Sequence, residues 1–243
     1  MKYLFLLLFT TVALAQTSGS VTYNFNYEMD LDGLKSQESK DFATNILSAA
    51  NQLEFQLTFN KQQSHFIQNT KLNFESEKDK KLSAVARALQ ASNETHTDFE
   101  TSRQIITMSD GTLIEEKLDK QDWQIGTDSK MIGAYLCYKA TLTIPFINRY
   151  GEPKTQEVVC WFAPSLPYSF GPKSYYGLPG LILELTESQK TCVASKIEFS
   201  DTVLKINVPK GKTVSREAYE KMLESSMGAV ILSKKREKEK ETN

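Results

Sequence analysis

Cysteine, histidine and tryptophan are scarce in this chain: three, two and two among 243 residues. The two histidines, His65 and His96, fall in unrelated segments, and there is no H-E-x-x-H, C-x-x-C or G-x-S-x-G run. Zinc peptidases, thiol redox proteins and serine hydrolases therefore lack their sequence signatures here. Neither sign of charge is in excess, with 29 Lys and Arg against 30 Asp and Glu. That balance gives no electrostatic reason to expect nucleic acid. Long apolar runs are also missing beyond the first 15 residues, so no transmembrane segment is expected where about 20 apolar residues would be needed.

What the first residues do contain is a basic start at Lys2, an apolar run from Leu4 and the small-residue site Ala13-Leu14-Ala15. These are the three parts of a secretory signal peptide. Residues 1–15 are read as that leader, and 16–243 as a single β-rich domain ending in a charged tail at about 233–243. No cysteine follows the apolar run, which argues against a lipid anchor. The expected location is outside the cytoplasm, periplasmic or associated with the outer membrane. In an oxidising compartment Cys137, Cys160 and Cys192 are disulfide candidates. Two readings stand: one bridge with one free thiol, or three reduced and buried thiols.

Period-two alternation dominates the chain. Val21-Thr-Tyr23-Asn-Phe25-Asn-Tyr27 and Leu53-Glu-Phe55-Gln-Leu57-Thr-Phe59 each place apolar side chains on one face of a strand. The second pairs with Ser64 to Thr70 as a hairpin across the polar turn Asn60 to Gln63. Further strands are predicted at about 95–108, 112–118 and 122–126. Two more hairpins are read from Ala134–Pro145 with Thr155–Ala163, and from Leu181–Thr186 with Thr191–Phe199. Leu204-Lys-Ile206-Asn-Val208 alternates once more. Helical spacing marks residues 76–91, a short element within 34–50, and a terminal helix from Ser215. About ten strands and two or three helices predict a mainly β (α+β) fold: one large curved antiparallel sheet, or a half or open barrel.

Four of the seven prolines and six aromatic residues crowd between Trp161 and Thr186. Pro164, Pro167, Pro172 and Pro179 each fix φ and bias the preceding residue toward extended backbone, so this is a stiff ordered loop rather than a helix or central strand. Pro179-Gly180 fits the two central positions of a type II turn, with glycine at positive φ. Two readings of the loop follow. It seals one end of the sheet, or Trp161, Tyr168, Phe170, Tyr175 and Tyr176 rim a groove for a ligand or partner, because rigid aromatics lose little entropy on binding.

The run Gly177-Leu178-Pro179-Gly180-Leu181-Ile182 resembles the signature of the GLPGLI family, secreted proteins of Gram-negative bacteria. Leu136-Cys-Tyr-Lys-Ala140, Trp161-Phe-Ala-Pro164, Phe170-Gly-Pro172, Leu57-Thr-Phe-Asn60 and Ser64-His-Phe66 are similar to other blocks of that family. Cys160 departs from the small residue expected before the tryptophan. The resemblance implies export and a β-rich fold, and it implies no reaction. The proline and glycines of Gly177 to Ile182 make the run a structural motif, a turn that feeds a strand.

For function the sequence supports a non-enzymatic binding or accessory protein that uses the concave sheet face and the aromatic loop. The expected partner is an apolar or peptide-like ligand or an outer-membrane protein. No catalytic residue, metal ligand or cofactor is assigned. Two alternatives stay open: a hydrolase using a cysteine or carboxylates such as Glu115, Glu116, Asp119 and Asp122, and a structural subunit of an envelope assembly. Glu184, inside the motif strand, belongs on the wet face or in a groove.

Overall fold

The computed structural model describes residues 17–69, 84–86, 88, 92–147, 152–223 and 225. The expected leader, the charged tail, the turn at 148–151 and most of the helix at 76–91 lie outside them. The chain is mostly β, one large open sheet of twelve strands. In chain order these are β1 (Ser18–Tyr27), β2 (Glu54–Asn60), β3 (Gln63–Gln68), β4 (Glu94–Asp98), β5 (Arg103–Thr107) and β6 (Leu113–Lys117). They continue with β7 (Gln124–Ile132), β8 (Tyr135–Ile147), β9 (Pro153–Ala163), β10 (Leu181–Glu187), β11 (Lys190–Ser200) and β12 (Thr213–Val214). Helix α1 (Gln37–Asn51) follows β1, the described residues 84–86 and 88 are helical, and a later helix, labelled α2, covers 216–223.

Spatial order is β12-β6-β5-β4-β3-β2-β1-β11-β10-β9-β8-β7. Two antiparallel meanders, β2 to β6 and β7 to β11, therefore flank β1, which pairs with β2 on one side and β11 on the other. Among the described strands only β12 runs parallel to its neighbour, β6. This order forces curvature. Strands β6 and β7 lie ten positions apart in the sheet, which on a flat sheet is about 48 Å. The connection at 118–123 reaches only about 24 Å when extended, so the sheet bends until its two ends approach each other across a concave face.

The inner face of β1 carries Val21, Tyr23 and Phe25, all buried, and that of β2 carries Phe55, Leu57 and Phe59. Phe25 and Phe55 meet edge to face at 4.4 Å between centroids. One inward row crosses the sheet as Phe25, Cys192, Leu185, Cys160 and Ala140, and every member is buried.

Several elements differ from the sequence expectation. The strand expected at 95–108 is two strands, because Asp98 accepts N–H bonds from Glu100 and Thr101 at 2.9 and 3.1 Å and turns the chain. Leu204 to Val208 is not a strand. Its start is tied to the sheet by side chains instead, with Leu204 N–H donating to Ser18 Oγ at 3.2 Å and Leu204 C=O accepting from Asn60 Nδ2 at 3.2 Å. Within 34–50 a full helix forms, capped by the Ser36 hydroxyl, which accepts from Ser39 N–H at 3.2 Å.

Candidate functional site

The loop between β9 and β10, residues 164–180, folds into the concavity and closes half of it. Tyr168 meets Phe59 at a tilt with 4.6 Å between centroids, Phe170 lies parallel to Phe99 at 4.8 Å, and Tyr175 meets Trp123 at 6.0 Å. Backbone bonds clamp it down: Leu181 N–H donates to Leu166 C=O at 2.9 Å, Ile182 N–H to Phe170 C=O at 3.0 Å, and Gly177 N–H to Ser169 C=O at 2.9 Å. From the far side Tyr23 Oη donates to Ile182 C=O at 2.6 Å. Tyr175 Oη and the Lys173 ammonium both bond the Glu187 carboxylate. Burial, then Glu187, holds the Tyr175 phenol above its usual range.

Of the five aromatics singled out in the sequence, Tyr168, Phe170 and Tyr175 are buried in the core. Trp161 sits on the opposite, outer face, half-buried, with the Lys130 ammonium 4.4 Å from its ring centroid. Lys130 also bonds Glu184 at 2.7 Å, so Glu184 lies on the outer face as an ion pair. Tyr176 alone borders open space on the inner side.

The turn inside the motif differs from the type II expectation. Gly180 N–H donates to Leu178 C=O at 2.8 Å, a three-residue turn centred on Pro179, whose fixed φ suits it. The positive φ falls instead on Gly177, at 89°. Gly180 is required for another reason: a Cβ there would lie 2.3 Å from Ala163 C=O oxygen.

All three cysteines are free and buried. Cys160 and Cys192 each face Leu185 from opposite neighbouring strands, so a whole strand separates them, about 10 Å between backbones and beyond disulfide reach. Burial raises the Cys137 thiol to about 11 and also pushes the Cys160 and Cys192 thiols well above their usual range. Such thiols are poor nucleophiles. Among the described residues no group of three or more His, Cys, Asp or Glu side chains is placed to hold a metal ion. His65 pairs with Glu94 at 2.6 Å.

The other half of the concavity is open and polar. A cleft of about 540 Å³ lies between the inner face of β5–β6, the 118–121 connection, the end of the aromatic loop and the start of α2. A smaller space of about 210 Å³ adjoins it through Ser174 and Arg216. Gln104 Nε2 donates to Thr97 Oγ1 at 2.8 Å, and the Arg216 guanidinium bonds Glu116. That bond raises Arg216 further. The loop wall is fixed by Gln121, whose Nε2 donates to Ser174 C=O at 3.0 Å and whose Oε1 accepts from Tyr176 N–H at 3.1 Å. Trp123 Nε1 donates to Tyr176 C=O at 2.8 Å, and Tyr176 Oη donates to Asp119 C=O at 2.9 Å. Helix α2 is seated by Tyr219, which packs on Ile106 and Ile114.

Sequence reasoning had Glu115, Glu116 and Asp119 as a loose acidic group and Tyr176 as one aromatic among five; they meet here. It missed Gln104, Gln121, Ser174 and Arg216, which span more than a hundred positions and carry no local pattern. Fold and cleft together define a class: a curved, mainly antiparallel β domain with a plugged concavity and a polar side opening.

Comparison with known proteins adds the following. Residues 147–184 match the model of a family described as a protein of unknown function (Porph_ging). No curated protein matches the chain. Among solved structures it is similar to PNGF-II in the C2 crystal form, with a TM-score of 0.53 and 13% identity over 85% of this chain. The P21 form of PNGF-II gives 0.53 and 12%. The chain spans only about a third of PNGF-II, 32% and 33% in the two forms. At this identity the likeness is one of fold.

Proposed function

We propose that this is an exported, non-enzymatic binding or accessory protein that holds a small polar ligand in the cleft between β5–β6 and the loop segment Lys173 to Tyr176. The observation that carries this reading is the about 540 Å³ opening beside an otherwise filled concavity. The apolar ligand suggested by the sequence is replaced by a polar one, because the apolar half is occupied by Tyr168, Phe170 and Tyr175. Export is supported by the leader pattern of residues 1–15, and GLPGLI membership by the motif falling inside the matched segment 147–184. High, desolvated thiol pKa values disfavour a cysteine hydrolase.

The test is a panel of amino acids, dipeptides, nucleosides and neutral sugars, read by NMR through the side-chain amides of Gln104 and Gln121. Binding in the cleft shifts both, and Ser174→Trp, which fills the opening, abolishes the shifts. Perturbations confined to the outer face around Trp161, or none at all, overturn the reading.

A further inference from the structure

Resting on the cleft as the binding site, we infer that its ligand is a neutral saccharide. The first argument is charge. The two adjoining spaces are lined by four cations, Lys117, Lys120, Lys173 and Arg216, and by four carboxylates, so the lining carries no net charge. The innermost cations are already matched, Arg216 by Glu116 and Lys173 by Glu187. An anionic ligand seated against Arg216 or Lys173 would have to displace one of these carboxylates, and a cationic ligand seated against Glu116 or Glu187 one of the bases. Either exchange leaves a half-buried charge without its partner, which is costly.

The second argument is the kind of hydrogen-bonding group on offer. Amides and hydroxyls border the space: Gln104, Gln121, Asn93, Ser92, Ser174 and Thr95. An amide both donates and accepts, and so does a hydroxyl. A surface of mixed donors and acceptors suits a ligand whose own groups are mostly hydroxyls. Peptides and organic acids present carboxylates or ammonium groups, whose counter-charges in the Arg216–Glu116 and Lys173–Glu187 pairs are already engaged.

The third argument is Tyr176. Its backbone is fastened on both sides by Gln121 and Trp123, and its ring is braced edge to face by Phe99 at 5.9 Å. A half-buried aromatic held this rigidly loses little entropy when a sugar ring lies on it. Pocket size agrees with a di- to tetrasaccharide, since ligand clefts of this order run from about 300 to 1,000 Å³.

Isothermal titration with cellotetraose, chitotetraose and mannotetraose, beside a dipeptide and citrate, tests the inference. At least one saccharide binds saturably, and its affinity stays within about twofold between 50 and 500 mM NaCl, because a neutral ligand has no ionic contact to screen. Tyr176→Phe retains that affinity within about twofold, and Tyr176→Ala weakens it at least tenfold while Trp123 emission and thermal unfolding show a folded chain. Should Tyr176→Ala unfold the loop, Ser174→Trp replaces it as the blocking variant and gives the same loss. A dipeptide or citrate that binds in the cleft while no saccharide does overturns the saccharide class and leaves the cleft reading standing. If no member of the panel binds and the Gln104 and Gln121 amides never shift, both fall.

Discussion

The two halves of the concave face are built from one sheet and filled differently. Over β1, β2 and β9–β11 the inner residues are mostly aromatic, aliphatic or cysteine, and the loop lies on them as a plug. Over β4–β6 the equivalent positions include Thr97, Gln104 and Glu116 among Ile106 and Ile114, and space remains. The same loop takes part in both. Tyr168 and Phe170 belong to the plug, and four to eight residues later Ser174 and Tyr176 form the wall of the cleft. Rigidity of the wall is thus supplied by burial of the plug, which is how a short polar stretch of loop is held in one conformation.

If that division is right, substitutions in the plug and in the wall separate cleanly in size. Phe170 is 1% exposed and stacked on Phe99, so Phe170→Ala is expected to cost about 4 kcal/mol. Ser174→Ala, in the wall, is expected to stay within about 0.5 kcal/mol. Urea unfolding of both variants measures this. Comparable losses would show that the wall is itself part of the core and that the division does not exist.

Two glycines of the motif sharpen the comparison further. Gly180→Ala drives a methyl group into the Ala163 carbonyl at the closure of the plug. Neither backbone can yield without breaking the β9–β10 pairing, and the expected cost is about 3 kcal/mol. Gly177→Ala meets no atom within 4 Å but keeps φ at 89°, a dihedral cost of about 1 kcal/mol. Reversal of that order in thermal unfolding would mean that the turn, rather than close packing at Ala163, sets the loop.

Much of this architecture was legible in the sequence. Alternation in Val21 to Tyr27 and Leu53 to Phe59 identifies strands and their buried faces, because a half-buried sheet imposes period two. The prolines between Pro164 and Pro179 mark an ordered loop, because they remove donors and fix φ. Leu204 to Val208 alternates equally well and forms no strand. Alternation records burial, and a segment draped over Ser18 and Asn60 can bury Ile206 without joining a ladder. Which loop aromatics point inward was not legible either. That depends on Phe59 and Phe99, distant residues brought opposite the loop by sheet register. The cleft has the same origin. Gln104, Gln121, Ser174 and Arg216 share no local pattern and meet only because β6 and β7 are joined by a short connection across a bent sheet.

The smallest expected effect concerns a polar group buried on the outer face behind the cleft. His96, in β4, is fully buried, and neither ring nitrogen has a hydrogen-bond partner among the described residues. Burial is the main cause that lowers its pKa; Asp98 opposes this, while the nearby His65 and Arg103 add to it. The folded chain therefore resists a proton that the unfolded chain accepts at about 6.5. Stability from this residue is fully present above that value and is lost as pH falls toward the lowered folded value. Asp98 also titrates below its usual value in the fold, but its contribution disappears only at more acidic pH, below the histidine window. The wild type is expected to lose stability between pH 7.5 and pH 5, and His96→Leu to lose less over the same interval. Parallel pH profiles for the two proteins would remove His96 from the account. A flatter profile in the variant would identify the half of the sheet behind the cleft as the half that yields first to acid.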